Sequence, residues 1–557
     1  MLRSAIAGII ACATMLAAQA AAAQPAIQNL GAEFWAWRAV TQPASSDDIP
    51  RIVRPAKWVP DWSPASIAAQ RATLAAFEAR WQALAGSPRT VSERVDYRLV
   101  GSALARVRWE IDHVAAWRRQ PHFYTAQALN PVFEVLLPPP PLSRERIEEV
   151  IRLLENAPAV LVAGRANLTD MRGPFVDIAL AQIAEIPPSL RAMATGLGPY
   201  ADAGQRRRLK SAVERSVGAF AGYRSFLEAH RAGLPTTTAV GRESYRYFLG
   251  SVALYPYSPE ELLVMGRQEW ARSVLFETIE RNRNTGQPEL PIGSTIGEVT
   301  ARLDAEELKV RRFLTEHNLL SVPEWAGHYN ARAFPAYLAP IGWLGRTFDF
   351  TSIARVGQNA TVYLPDPSPT LGYFNLSLMR DPRPVIVHEG VPGHFFQLTL
   401  GWKHPDPLRR HYYDSGANEG TGFYAEEMML QAGFWADAPR TREIIYNFAR
   451  LRALRVEVDV KLAMGEFTIA QAADYLERMV PMDRATAREE ATFFAAAPGQ
   501  AISYQIGKMQ TTEFLAEARV REGKSFDIKR FHDYLWQNGN VPIALQKEEY
   551  LSMTAGK

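Results

Sequence analysis

Cysteine is almost missing from this chain of 557 residues: the only one is Cys12. A disulfide framework is therefore excluded, and the fold has to be held by packing alone. Long apolar runs are missing too. After the N-terminal segment no stretch approaches the ~18 uninterrupted apolar residues that a membrane-spanning helix requires. Neither sign of charge dominates, with 62 basic against 59 acidic residues and a formal net charge of +3. Without long basic blocks this balance speaks against a nucleic-acid footprint and against a membrane-surface helix. No internal repeat is evident at the periods of about 20 to 50 residues that mark solenoids. What remains is an ordinary globular composition, 47% hydrophobic and 22% charged. The length suits two or three domains, or one large helical body with a deep cleft.

Residues 1–24 open Met-Leu-Arg-Ser, continue through an apolar stretch and end in small residues. They read as a secretory signal peptide, to be set apart from the fold. The expectation is a periplasmic or secreted protein with no stable membrane insertion after cleavage. Ile9-Ile10-Ala11-Cys12 also resembles a lipoprotein signal. Because the apolar stretch runs on to Ala18, anchoring at Cys12 is the less favoured reading.

Helical periodicity dominates the rest of the chain. Apolar Ile67, Leu74, Phe77, Trp81 and Leu84 share a face over 63–86, and Tyr97, Leu99, Val100, Leu104, Val107 and Ile111 do so over 91–118. Four prolines at 138–141 interrupt the pattern as a rigid connector. Helices resume at 143–156, with Ser143 as cap, and at 168–185 and 204–231. The Gly233-Leu234-Pro235 break divides an N-terminal helical region, 25–235, from a catalytic helical region, 236–557. In the second region Ser258-Pro259-Glu260-Glu261 starts a helix, 300–316 reads as another, and 441–464 and 469–479 as two more. Ala360–Leu364 and Gly372–Leu376 flank a Pro-rich turn and read as a β-hairpin. Arg450, Arg452 and Arg455 read as a solvated basic helix face.

Chemistry concentrates at 385–397, Val-Ile-Val-His-Glu-Gly-Val-Pro-Gly-His-Phe-Phe-Gln. Neutral imidazoles are good zinc ligands, and a carboxylate directly after the first one can take a proton from water at the metal. His388 and His394 are thus candidate ligands and Glu389 the candidate general base. The spacing is unusual for a zinc helix, since position i+4 is Pro392 and the second histidine comes at i+6. An unbroken helix would turn the two rings about 240° apart. Gly390, Pro392 and Gly393 predict a break that lets both rings face one ion.

The string His388-Glu389-Gly390-x-Pro392-Gly393-His394-x-x-Gln397 resembles the signature of domain of unknown function 885, a bacterial family regarded as zinc metallopeptidases and grouped with the glutamate-zincins. That resemblance implies a mainly α-helical metallopeptidase-like fold with a central cleft and a small hairpin or sheet beside the active-site helix. It also implies a third ligand about two dozen residues on. Glu419 lies 25 positions after His394, and Glu419-Gly420-x-x-x-Tyr424-Ala425-Glu426 is similar to the family's later motif. Glu419 is the candidate ligand and Glu426 the reserve, since the two lie seven apart and share a helix face. Pro498-Gly499-Gln500-Ala501-x-Ser503-Tyr504 resembles a further family motif, and by analogy Tyr504 would steady the oxyanion. In related peptidases a strand aligns the substrate, which points to Tyr373 and Asn375 here. Lys508, four residues after Tyr504, is a candidate for holding a substrate carboxylate, with Arg383 as another. The chain departs from the family at Phe395 and within 458–462, where histidines often stand. This puts substrate preference in doubt.

The expected function is a Zn²⁺-dependent peptidase, of carboxypeptidase or dipeptidyl carboxypeptidase type if a carboxylate terminus is bound. The alternatives are a zinc amide hydrolase acting on a small amide or modified peptide, and a non-catalytic binding or scaffold protein. Oligomeric state stays open.

Overall fold

A computed structural model of the chain describes residues 26–44, 52–86 and 90–554. It is mainly α-helical with one three-stranded sheet. Helix starts are set by side chains that satisfy the free N–H groups of the first turn. Thr90 with Glu93, Asp202 with Gln205, Ser258 with Glu261 and Thr468 with Gln471 form reciprocal capping boxes. Ser143 caps the Arg144–Asn167 helix, which runs on through Pro158 rather than ending before it. The 91–118 segment is not one helix: it passes from α-helix at Val91–Arg108 to a wider π-helical turn at Trp109–Val114, and Ala115 is left-handed. No described helix is long and apolar enough to cross a membrane.

Packing follows the apolar faces. The helices Pro121–Leu136, Arg144–Asn167, Gly173–Leu197 and Ala203–His230 enclose one core, joined by Leu338, Ile341 and Tyr363. A second core fills the space between the sheet and the helices that carry the metal motif. A third brings Ile27, Leu30 and Phe34 against Leu408, Val541 and Leu545. Apolar contacts therefore cross position 235 in two of these cores.

The sheet consists of β1 (Tyr329–Ala333), β2 (Phe348–Asp349) and β3 (Ala360–Leu364), in the order β1-β3-β2. β1 runs parallel to β3 with Tyr329 opposite Ala360, and β2 runs antiparallel with Phe348 opposite Val362. This corrects the expected hairpin. Ala360–Leu364 is a strand, but both of its edges are taken, and Pro365, Pro367 and Pro369 lead the chain away. Residues Tyr373–Arg380 form a helix instead, and Asp483 accepts a hydrogen bond from the Tyr373 backbone N–H at its start. Tyr373 and Asn375 therefore lie on no substrate-aligning strand.

Two helices that shape the site, Ser415–Gln431 and Ile502–Glu522, cross at backbone contact. A Cβ on Gly420 would collide with the backbone of Gly507, and one on Gly507 with Gly416 and Gly420. Glycine is required at this crossing by proximity, since any side chain would force the helices apart.

Candidate metal centre

The break expected between the two histidines is present. Ile386–Gly390 is a π-helical turn, Val391 is extended, and His394 begins a new helix, His394–Gly401. Gly393 makes the reversal possible: a Cβ there would run into the carbonyl oxygen of His388. The Trp536 indole N–H donates to the Pro392 carbonyl at 2.5 Å and ties the turn to the neighbouring helix. The imidazole centroids end 4.7 Å apart, at a steep interplanar angle of 76°.

Glu419 completes the cluster from the Ser415–Gln431 helix. Its Oε2 lies 3.3 Å from His388 Nε2 and 3.0 Å from His394 Nε2. All three residues are buried, and their ligand atoms lie within 4.8 Å of one another. Ligands at zinc distances of about 2.0–2.1 Å in tetrahedral arrangement are separated by roughly 3.3 Å. The two nitrogens and the carboxylate oxygen thus suit one divalent ion. Gly422 keeps space open beside them, since a Cβ there would approach His394 Cε1 and His388 Cε1 at 3.0 and 3.2 Å.

Electrostatics bind the cluster further. Burial works against charge on Glu419, but His394 and His388 hold its carboxyl well below the ordinary range. For His388, burial and the nearby Arg452 oppose the imidazolium, and Glu419 and Glu426 outweigh them, raising it to about 9. Glu426 does not join the cluster. Its Oε1 sits 2.6 Å from His388 Nδ1 and 2.8 Å from Arg452, behind the ring. A carboxylate on the far nitrogen of an imidazole fixes its orientation and raises its basicity as a ligand. His394 Nδ1 is buried and has no such partner.

Glu389 is partly exposed, with its Oε2 3.9 Å from His394 Nε2, at the rim of the ligand set. Tyr504 stacks over His388 with centroids 6.1 Å apart and planes 13° off parallel. Burial, with Glu419 adding to it, raises the Tyr504 phenol well above its usual value, so the hydroxyl stays protonated. The Pro498–Tyr504 segment is held by Asp459, which accepts hydrogen bonds from the backbone N–H groups of Gly499 (2.8 Å) and Ala501 (2.7 Å).

Other sequence expectations are corrected. The Lys508 ammonium is buried against Phe423, 4.3 Å from the ring centroid, and pairs with Glu427 at 2.8 Å and Glu269 at 3.4 Å. Arg383 is likewise held by Asp381 at 2.7 Å. Both are thus held by acidic neighbours within the protein. Tyr373 donates its hydroxyl hydrogen to Asn447, and Asn375 is exposed on its helix. Arg452 and Arg455 are buried instead of forming a solvated edge. Arg455 pairs with Glu490 at 2.7 Å and lies 4.5 Å from the Tyr504 ring centroid. The available signal was their register: Phe448, Arg452, Arg455 and Asp459 recur at helical spacing on one face of the Pro439–Met464 helix.

Lys508→Met is expected to cost about 2–3 kcal/mol, below the loss for a fully buried pair because Arg272 still neutralises Glu427. Burial raises the Glu427 carboxyl, but Lys508 and Arg272 together pull it down to about 2, from an ordinary 4.5. Its contribution is present above pH 4.5 and is lost as the pH falls towards 2. Denaturant melts of both proteins between these pH values should converge as acid removes the pair.

A family described as "Bacterial protein of unknown function (DUF885)" matches residues 52–317 and 373–549. Several solved structures share the fold, two of which are described here. One is a candidate lipoprotein of unknown function from Shewanella oneidensis (TM-score 0.68, 17% identity, covering 96% of this chain and 99% of that one). The other is a candidate lipoprotein from Colwellia psychrerythraea (TM-score 0.73, 17% identity, covering 97% and 99%). Comparison with curated proteins gives no match. Both structures come from proteins described as lipoproteins, which overturns the expectation that lipid attachment at Cys12 is the less favoured reading. Cys12 and the rest of the 1–24 leader lie outside the described residues.

Proposed function

Because this chain belongs to the DUF885 family of bacterial proteins of unknown function, its activity has to be read from its own residues, and we propose that it is a zinc-dependent hydrolase of peptide bonds. The observation that carries this reading is the convergence of His388 Nε2, His394 Nε2 and Glu419 Oε2 in a buried cluster. These three would hold the ion, and zinc in such a site supplies Lewis acidity, polarising an amide carbonyl and making water more acidic. Glu389, at the rim of the cluster, accepts the proton of the attacking water and passes it to the leaving amine. Tyr504, kept protonated by its burial, donates a hydrogen bond to the oxygen that gains charge. Glu426 and Arg452 take no proton from the substrate. They position His388 from behind.

The same chemistry would serve a non-peptide amide. A mixed peptide library and a set of simple amides, each offered to the zinc-loaded protein and to protein treated with a chelator, separate the two. Chelator-sensitive turnover of peptides is expected. Turnover of simple amides alone would remove the peptidase label, and turnover that survives chelation would remove the metal from the mechanism. For the N-terminus, Ile9-Ile10-Ala11-Cys12 supports a lipid tether at Cys12.

A further inference from the structure

The candidate ligands stand on two stretches of chain: the broken turn with His388 and His394, and the Ser415–Gln431 helix with Glu419. Both are fastened to a third element, the helix Ile528–Gln537, which carries none of the three ligands. Asp527 caps its start by accepting from the Arg530 backbone N–H. Phe531, His532, Leu535 and Trp536 are its buried residues, at the spacing of one helix face.

Two buried hydrogen bonds link that face to the ligand-bearing segments. The Trp536 indole N–H donates at 2.5 Å to the carbonyl of Pro392, which lies between the two histidines. One turn earlier His532 stands between two partners. Its Nδ1 lies 2.8 Å from the Leu319 carbonyl, which can only accept, so Nδ1 carries the proton. Nε2 is left to accept the Tyr424 hydroxyl hydrogen at 2.8 Å. Burial outweighs the bond to Leu319 and lowers His532 to about 4, so the ring is neutral at neutral pH. Tyr424 lies five residues after Glu419 on the same helix. The rings of Tyr424, His532 and Trp536 pack together, with centroids 5.6 to 6.4 Å apart. Beyond the helix, Gly539 closes on the far end of the His394–Gly401 helix, where a Cβ on Gly401 would come within 3.0 Å of the Gly539 Cα.

Resting on the metal centre of the proposed hydrolase, we infer that Trp536 is a positioning residue of that centre: through Pro392 it fixes the turn that aims His388 and His394, while the Tyr424–His532 bond holds the Glu419 helix in place against it. The two imidazoles stand on either side of a break, where no continuous helical ladder sets their separation. Metal coordination asks for ligand distances correct to about 0.2 Å. A bond from outside to the carbonyl of the turn supplies the missing constraint. Losing that donor would leave a buried carbonyl unsatisfied, and the turn would shift to find another partner. The bonds span 144 and 108 positions, so the far C-terminal region takes part in shaping the ligand set.

The test compares Trp536→Phe with wild type, since phenylalanine keeps an aromatic ring in the core and removes the donor. Zinc affinity is measured by competition with a chromogenic chelator. Cobalt(II) is then offered in place of zinc, because its visible absorption reports coordination geometry. Trp536→Phe is expected to weaken zinc binding about 10-fold, the lower end of the losses for outer partners of metal ligands, and to alter the cobalt spectrum. Val213→Ala, in the core of the four N-terminal helices, controls for plain loss of stability. It should melt earlier and bind both metals as wild type does. Unchanged zinc affinity or an unchanged cobalt spectrum in Trp536→Phe, or an equal loss in Val213→Ala, would overturn the inference. Should Trp536→Phe fail to fold, Tyr424→Phe decides, because it removes the other bond and little volume. Weaker zinc binding in it supports the assignment, and unchanged binding contradicts it. Failure of the two readings is distinguishable. Wild-type protein that takes up no zinc removes the metal centre, and the inference falls with it. Zinc-binding wild type matched by Trp536→Phe removes the inference alone. Weakened zinc binding in a protein that cleaves no peptide keeps the inference and removes the hydrolase reading.

Discussion

Glu389→Gln is expected to keep its full complement of metal and to lose about 10²- to 10⁴-fold in kcat with little change in KM. The reasoning is geometric. Glu389 is not part of the His388–His394–Glu419 cluster, and its Oε2, 3.9 Å from His394 Nε2, lies near enough to reach a water held there. Glutamine preserves the shape of the side chain and removes its ability to take a proton. Glu389 is partly exposed, so the exchange should leave stability nearly unchanged. Assays of turnover and metal content on one preparation decide it. Undiminished turnover with metal bound would mean that the proton goes elsewhere. Loss of metal together with activity would make Glu389 a ligand and not a base.

The second large effect is expected at Gly393→Ala, which should cost about 3 kcal/mol, the upper end of overpacking costs, and empty the metal site. The obstacle to the new methyl is the His388 carbonyl oxygen, flanked by the Val387 carbonyl, and backbone cannot rotate aside as a side chain would. Relief requires the π-helical turn to move away from the His394–Gly401 helix, which carries the two imidazoles apart. Thermal melts with and without added zinc would report both consequences. Gly286→Ala offers a comparison: no atom lies within 4 Å of its Cβ position, and only its left-handed φ of 87° opposes the change. A Gly393→Ala protein with unchanged zinc binding would show that the turn does not govern the approach of the rings.

Much of this site can be read in the amino-acid order because its chemistry is local. The glycines and proline between His388 and His394 announce a chain reversal, whereas Glu419 is reached through the family resemblance, since the His394–Gly401 and Pro407–His411 helices both stand before the helix that carries it. The mainly helical architecture is legible for a similar reason: capping residues and apolar periodicity act within a few positions. What escapes is set by partners distant in sequence. Leu364 and Gly372 look like the ends of a hairpin, yet β3 finds its partners at 329–333 and 348–349, and Asp483 starts a helix at Tyr373. Arg452 and Arg455 look like surface charges until Glu426 and Glu490 are brought to them. Lys508 looks available because Glu269 lies 239 positions away.

Metal content of the purified protein, by elemental analysis of wild type beside His394→Ala after both have been offered zinc, tests the central claim most directly. The geometry predicts close to one zinc per wild-type chain and a loss of about 100-fold or more in affinity in the variant, since one of three protein ligands is gone. No zinc in the wild type, or equal zinc in both, would contradict the assignment of His388, His394 and Glu419 as a metal centre.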